Sequence, residues 1–303
     1  MTASRHPRGA GRTRRRTAMR DGGAGEQVLI GRVVVLLDAS EASMAALEAA
    51  IELAARRHAE LLALYVEEEE LLRCAGYPWS REVGLSGAVR PLQAEALEER
   101  MRARAEAIRS ALAQTAAPRG VRHRLQVSRG RLPREALALL APEDLLVLGK
   151  IGYARARGQR VGSSAWAILH EAPGPVMVFE RPLPEARPRG VAVVIDAGAS
   201  GLQALESAAA LLEPDEALTA VIACHAPGAA PEAAADPAQR WLAERFPQAR
   251  WLPVTTDGPE RIARLLAAQA AEKVVVSRRS AVMRRHDARE LVEALQLPVV
   301  VIP

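Results

Sequence analysis

The chain contains a glycine-rich and serine-rich segment whose residue types suit the binding of an anion. The segment GKIGYARARGQRVGSS follows an apolar run and has the spacing Gly149-x2-Gly152-x9-Gly162-Ser163-Ser164. Glycines allow a positive φ and a close approach of the backbone to a ligand. The last three of these residues begin a predicted helix, where free amides and the helix dipole favour negative charge. The spacing therefore predicts an anion site between a strand and a helix.

An aspartate at the end of another apolar run is a second candidate for this site. The run VVVLL precedes Asp38 and is typical of a strand that is buried on both faces of a parallel sheet. Ligands of such sheets lie beyond the carboxyl ends of the strands, where the strand order reverses. Because Asp38 and Gly149 both follow strands, we expect them to face the same ligand. Either Ser40 or Asp38 is predicted to cap the next helix.

Predicted strands and helices alternate along the first half of the chain. Apolar runs predict strands at 33–37, 61–66, 121–127, 145–148 and 175–179. Helical periodicity predicts helices at 42–55, 91–115, 134–140 and 164–171. The segment RPLPEARPR at 181–189 contains three prolines, which predicts a linker. The alternation as a whole predicts an α/β fold with a parallel sheet.

The pattern restarts after the linker, which predicts a duplicated domain. The segment VAVVIDAGASGLQALESAAALL repeats VVVLLDASEASMAALEAAIELA, so that Asp196 corresponds to Asp38. Later matches require deletions of 30 residues between the second and third strands and of five residues after the fourth. The second deletion falls at the glycine loop, where Ser277 and Ser280 replace the first two glycines. We therefore predict one anion site per chain.

The excess positive charge of the chain lies at its beginning. The formal net charge is +5, and residues 1–20 contain seven arginines and no acidic residue. We predict a disordered Arg-rich tail over residues 1–28, which either binds nucleic acid or anionic lipid through phosphate contacts or is solvated. The tail lacks the apolar segment of a secretory signal, and no run of about 18 apolar residues occurs. These features predict a cytoplasmic protein without a membrane span.

Common catalytic and metal-binding motifs are missing from the sequence. The two cysteines are Cys74 and Cys224, and no paired Cys/His spacing indicates zinc. The six histidines are scattered, and the nucleophile-elbow, Walker and dinucleotide-binding glycine motifs do not occur. We therefore expect no catalytic residues and no metal site.

Because of its glycine spacing, the first half resembles the nucleotide-binding branch of the universal stress protein family, whose signature is Gly-x2-Gly-x9-Gly-(Ser/Thr). The resemblance extends from about residue 29 to the end of the chain. It implies two tandem, open, parallel five-stranded sheets flanked by helices, Rossmann-like and similar to the adenine nucleotide alpha-hydrolases. The implied domains are a nucleotide-binding universal stress domain at 29–180, the linker at 181–189 and a degenerate universal stress domain at 190–303.

The resemblance implies that the ligand is ATP or another adenine nucleotide, with or without Mg²⁺. Gly149 and Gly152 then line the phosphates and ribose, and Asp38 contacts the adenosine end. The implied phosphate ligands are the amides and hydroxyls of Gly162, Ser163 and Ser164. The other implied site residues lie next to strand ends and are Leu36, Ala39, Ser40, Val66, Gly130 and Leu148. Lys150 departs from the family pattern, and its ammonium either neutralises polyphosphate charge or is solvated.

These features lead to the hypothesis of a nucleotide-responsive stress or regulatory protein, in which bound nucleotide acts as a conformational signal. The alternatives are a slow ATPase with at most weak hydrolysis, and a nucleic-acid adaptor that acts through the tail. The resemblance also implies that the last strands of two universal stress domains pair, here residues 176–179 and 299–302. This pairing forms either a pseudo-dimer within the chain or a homodimer.

Overall fold

The computed structural model of the protein describes most of the chain after residue 29. The described residues are 30–84, 86–150, 161–179, 189–197, 199–225, 236–255, 259–269, 271–285, 288–295 and 297–303. Three features that the sequence singled out, the Arg-rich tail, most of the proline-rich linker and Gly152, lie outside these residues.

The first half follows the predicted alternation of strands and helices. Its strands are β1 (Arg32–Leu37), β2 (Glu60–Glu68), β3 (Arg81–Val83), β4 (Val89–Pro91), β5 (His123–Gly130), β6 (Asp144–Gly149) and β7 (Val176–Phe179). Its helices are α1 (Glu41–Arg57), α2 (Glu69–Ala75), α3 (Ala94–Ala116), α4 (Leu132–Leu139) and α5 (Ser163–Glu171), with a 3₁₀ turn at Ala117–Arg119. The elements α2, β3 and β4 were not predicted, because they are short and lack a long apolar period.

The second half repeats this order in a shorter form. Its strands are β8 (Arg189–Asp196), β9 (Glu216–His225), β10 (Arg250–Thr255), β11 (Lys273–Ser277) and β12 (Val299–Ile302). Its helices are α6 (Ala199–Ala210), α7 (Pro237–Arg245), α8 (Pro259–Ala267) and α9 (Ala288–Ala294). Helix α7 has nine residues where α3 has 23, which accounts for part of the deletion expected between the second and third strands.

Ten strands form one sheet within the described part of the chain. The order is β10-β9-β8-β11-β12-β7-β6-β1-β2-β5, so each half contributes five neighbouring strands in the same relative order. Within this sheet the strands of each half are parallel, whereas β7 and β12 pair antiparallel, with Met177 opposite Val300. Strands β3 and β4 form a separate antiparallel pair. The predicted α/β fold with parallel sheets is confirmed, and the expected pairing of the last strands occurs within the chain.

The central strands are buried on both faces, as their continuous apolar runs predicted. In β1, Val33 and Val35 pack in a core that contains α1, α3, α6 and α7. Val34 packs on the opposite face with α4, α5, α8 and α9. Each core extends through both halves of the sheet. A parallel sheet covered by helices on both faces places its polar strand ends, and hence its ligand sites, at the edges of the layers.

Ion pairs also join the two halves at the amino ends of the strands. Arg57 at the end of α1 contacts buried Glu213 with its Nε 2.6 Å from Oε1, and its Nη2 donates to the carbonyl of Leu211 at 2.6 Å. The neighbouring Arg56 contacts both carboxylate oxygens of Asp215 at 2.9 and 3.0 Å. The halves are therefore held together by side chains as well as by the β7–β12 ladder.

Candidate functional site

A cavity of about 230 Å³ lies at the carboxyl ends of β1 and β6. The strand order reverses between these two neighbours, because β2 continues on one side of β1 and β7 on the other side of β6. This is the position at which open α/β sheets bind ligands. This volume is below the range of about 300–1,000 Å³ that is typical of small-molecule sites.

Among the described residues, nine of the site residues that were predicted from the sequence line this cavity. They are Leu36, Asp38 and Ser40 from the β1–α1 junction, Leu148, Gly149 and Lys150 from the end of β6, and Gly162, Ser163 and Ser164 from the start of α5. The fold thus brings together segments that are more than 100 residues apart. Gly152 lies outside the described residues.

The N-terminus of α1 is capped by a side chain of the same segment. Ser40 is the cap, since its Oγ accepts a hydrogen bond from the amide of Ser43 at 3.2 Å. Asp38 accepts from the amide of Ser40 with Oδ1 at 2.9 Å, and Ala39 between them has a positive φ of 62°. Of the two predicted caps, Ser40 is therefore correct. The amides of Ser40 and Ser43 at the start of α1 are therefore already used.

The start of α5, in contrast, has no side-chain cap. Gly162 occupies the cap position with φ −65° and ψ 154°, and the amide of Trp166 makes the first intrahelical bond to its carbonyl at 2.9 Å. The amides of the first turn precede that bond and have no acceptor within the helix. They lie on the cavity wall together with the hydroxyls of Ser163 and Ser164. This end of α5 therefore provides the stronger anion site.

Gly149 is required by packing. A Cβ at this position would lie 3.0 Å from the carbonyl carbon and oxygen of Ala42 and 3.2 Å from the amide nitrogen of Ser43. Its φ is not in the positive range, so the expectation of a left-handed glycine does not hold for this residue. The absence of a side chain lets the first turn of α1 pack against the end of β6.

Lys150 is buried, which contradicts one of the two roles predicted for it, that of a solvated lysine. The residue is 2% exposed, and its Nζ donates to the carbonyl oxygen of Glu293 at 3.0 Å and to that of Leu295. These carbonyls lie at the C-terminal end of α9, where the helix dipole favours a cation. The ammonium therefore binds the second half, and its neutralisation of a phosphate stays a prediction. The sequence carries no signal of this partner.

Three other predicted site residues do not line the cavity. Val66 is buried inside β2, because that strand continues to Glu68 and does not end where the sequence predicted. Gly130 ends β5 and lies against the side chain of Glu135, whose Oε1 is 2.6 Å from the position of an added Cβ. Ala39 links β1 to α1 through its positive φ. Their part in a nucleotide site stays a prediction.

Four lining residues were missed by the sequence prediction. They are Leu37, Ser43, Leu132 and Ala165. Ser43 follows the cap Ser40 by three residues, which is the spacing at which a cap binds an amide, so this residue carried a usable signal. The others belong to apolar faces whose contact with the cavity depends on the packing of α4 and α5.

The matching strand ends in the second half are partly covered by the chain itself. Asp196 accepts hydrogen bonds from the amide of Ala281 at 2.9 and 3.0 Å, within a turn that follows β11. Val282 and Met283 of this turn are each 2% exposed. A larger cavity of about 380 Å³ remains at these strand ends beside α6, and its lining includes Asp196, Ser277 and Ser280. No described residue of α9, the helix that corresponds to α5, lines it, so the counterpart of the α5 start is absent from its wall.

The described residues contain neither a metal-binding cluster nor a membrane-spanning helix. No group of three or more His, Cys, Asp or Glu side chains has a geometry that would hold a metal ion in this part of the protein. No helix among the same residues is both long and apolar enough to cross a membrane.

Fold and site together define an α/β protein with an open helix N-terminus at the switch point of a parallel sheet. Residues 30–180 match the Universal stress protein family, and the chain belongs to that family through this domain. No curated protein sequence matches the chain significantly.

Two solved structures share the fold over both halves. A universal stress protein from Archaeoglobus fulgidus DSM 4304 has 16% identity and a TM-score of 0.67, with 91% of this chain and 97% of that chain covered. A protein of unknown function from Pseudomonas aeruginosa PAO1 has 15% identity and a TM-score of 0.59, with 92% and 94% covered. At these identities the similarity concerns the fold alone.

Proposed function

We propose that the first half of this protein binds an adenine nucleotide, ATP in the first instance, and that the protein acts as a nucleotide-responsive regulatory or stress protein. The observation that carries the proposal is the uncapped N-terminus of α5, which faces the same cavity as Asp38 at the switch point of the sheet. Membership of the universal stress protein family supports the same reading.

Opposite charges on the two sides of the cavity orient the ligand. The phosphates lie at the amides and hydroxyls of Gly162, Ser163 and Ser164, where the dipole of α5 is positive. The carboxylate of Asp38 repels phosphate but accepts hydrogen bonds from sugar hydroxyls or the amino group of adenine. We therefore place the adenosine end at Asp38. Mg²⁺, if it accompanies ATP, is held mainly by phosphate oxygens, because one carboxylate lines the described part of the cavity.

The second half is proposed to be a duplicated universal stress domain at 190–303 that has lost its own nucleotide site, joined to the first domain at 29–180 through the segment 181–189. The identical strand order of the two halves supports a duplication. The bond between Asp196 and the amide of Ala281 supports the loss, because it engages the carboxylate that matches Asp38, and no described residue of α9 lines the cavity beside it. The proposal therefore gives one nucleotide per chain.

Isothermal titration calorimetry of the full-length protein with ATP, ADP and AMP tests this function. The expected result is saturable binding with a stoichiometry near one. Release of inorganic phosphate, followed over hours in the same samples, separates binding from slow hydrolysis. Absence of binding of all three nucleotides would refute the proposal, and a stoichiometry of two would refute the assignment of the second half.

A further inference from the structure

Helix α9 of the second half holds one end of the glycine motif through Lys150. The buried ammonium of Lys150 donates to the carbonyls of Glu293 and Leu295. A buried ammonium is stable only where it is fully hydrogen-bonded, so these contacts fix the backbone at the end of β6. The amide of Lys150 adds a bond of 2.7 Å to the carbonyl of Phe179 at the end of β7.

The same helix holds the other end of the motif through Val161. Val161 is fully buried just before the cap of α5. Its carbonyl accepts a hydrogen bond from Arg289 Nη2, and its amide donates to Glu293 Oε1 at 3.4 Å. Arg289 and Glu293 are themselves paired along α9, with Nε 3.1 Å from Oε1. One short helix therefore binds both flanks of the ten-residue segment that carries Gly152.

We propose that Arg289 and Glu293 of α9 are positioning residues for the nucleotide site of the first half, so that the second half sets its affinity. This inference rests on the proposed nucleotide function. Fixing Lys150 and Val161 holds the backbone of the cavity residues next to them, Gly149 and Gly162, and this reduces the conformational entropy that is lost when a ligand binds. By reciprocity, a nucleotide that binds the held arrangement stabilises the contacts of α9 by the same factor. The second half thereby has a role although we propose that it binds no nucleotide itself.

Calorimetry on two full-length variants tests the effect of α9 on affinity. Arg289→Met keeps the length of the side chain but removes its bonds to Val161 and Glu293, and we expect ATP to bind about tenfold more weakly. The matched control is Arg102→Met, which removes an exposed pair of the same spacing with Glu98 on α3, a helix that does not line the cavity. The control is expected to bind ATP as the wild type does.

Hydrogen exchange of the wild-type protein tests the reverse direction and does not depend on the folding of a variant. Saturating ATP is expected to slow exchange of the amides of α9. If the wild type binds ATP, yet Arg289→Met binds it within twofold and α9 shows no protection, the inference is overturned while the site in the first half stands. If the wild type binds no nucleotide, the proposed function fails and this inference fails with it.

Discussion

Replacing Gly162 by aspartate should stabilise the protein and weaken its binding of ATP at the same time. Gly162 is the cap of α5, its φ of −65° is allowed for every residue, and no atom lies within 4 Å of an added Cβ. An aspartate at this position accepts hydrogen bonds from the free amides of the first turn. Cap preference contributes a few tenths of a kcal/mol over glycine, and the helix dipole contributes about 0.3–1 kcal/mol.

The same carboxylate competes with the phosphates of the nucleotide. It uses the amides that we assign to phosphate, and it places a negative charge roughly 5 Å from the ligand's own charge. Two unit charges at about 5 Å repel by about 1 kcal/mol in water and by about 3 kcal/mol at an effective dielectric constant of 20. We therefore expect the dissociation constant of ATP to rise between about fivefold and two hundredfold.

Calorimetry and thermal unfolding of Gly162→Asp measure both effects, and Gly162→Asn is the matched control. Asparagine caps a helix about as well as aspartate but carries no charge. The control should therefore gain stability with a smaller loss of affinity. Since stability and affinity move in opposite directions, misfolding does not explain the expected result. If Gly162→Asp binds ATP as tightly as Gly162→Asn, the phosphates do not lie at the start of α5.

Two further predictions concern buried groups. Lys273 Nζ lies 2.6 and 2.7 Å from the carboxylate oxygens of Glu216, and both side chains are buried, so Lys273→Met alone should lower the free energy of unfolding by about 3–5 kcal/mol. In urea unfolding, the double variant Lys273→Met, Glu216→Leu should recover much of this loss. Simple additivity of the two substitutions would contradict the coupling. Burial and the charge of Asp196 raise the pKa of the Cys224 thiol to about 12, whereas Cys74 is exposed. Ellman's reagent at neutral pH should therefore detect one thiol in the native protein and two after unfolding, and rapid reaction of both in the native state would refute the assignment.

Local features of the sequence predicted the elements around the site because their signals lie within a few residues of each other. The apolar run before Asp38 predicted β1, and the serine three residues before Ser43 marked the start of α1. The glycine and serine spacing predicted the start of α5 and its place in an anion site. The elements α2, β3 and β4 escaped prediction, because three-residue strands and a seven-residue helix have no readable period.

Only the tertiary structure decided which groups the predicted residues contact. Lys150 follows a glycine in a phosphate-loop motif, yet its ammonium binds carbonyls 143 and 145 residues away at the end of α9. Asp196 matches Asp38 in sequence, but its partner is the amide of Ala281, 85 residues away. The Lys150 contact depends on the antiparallel joining of β7 to β12, which brings the two halves together, whereas the Asp196 contact depends on the packing within the second half. The sequence by itself therefore determined the strands, the helix start and the anion-binding motif, while long-range packing determined that the second half engages its own Asp196 and holds the flanks of the first half's site.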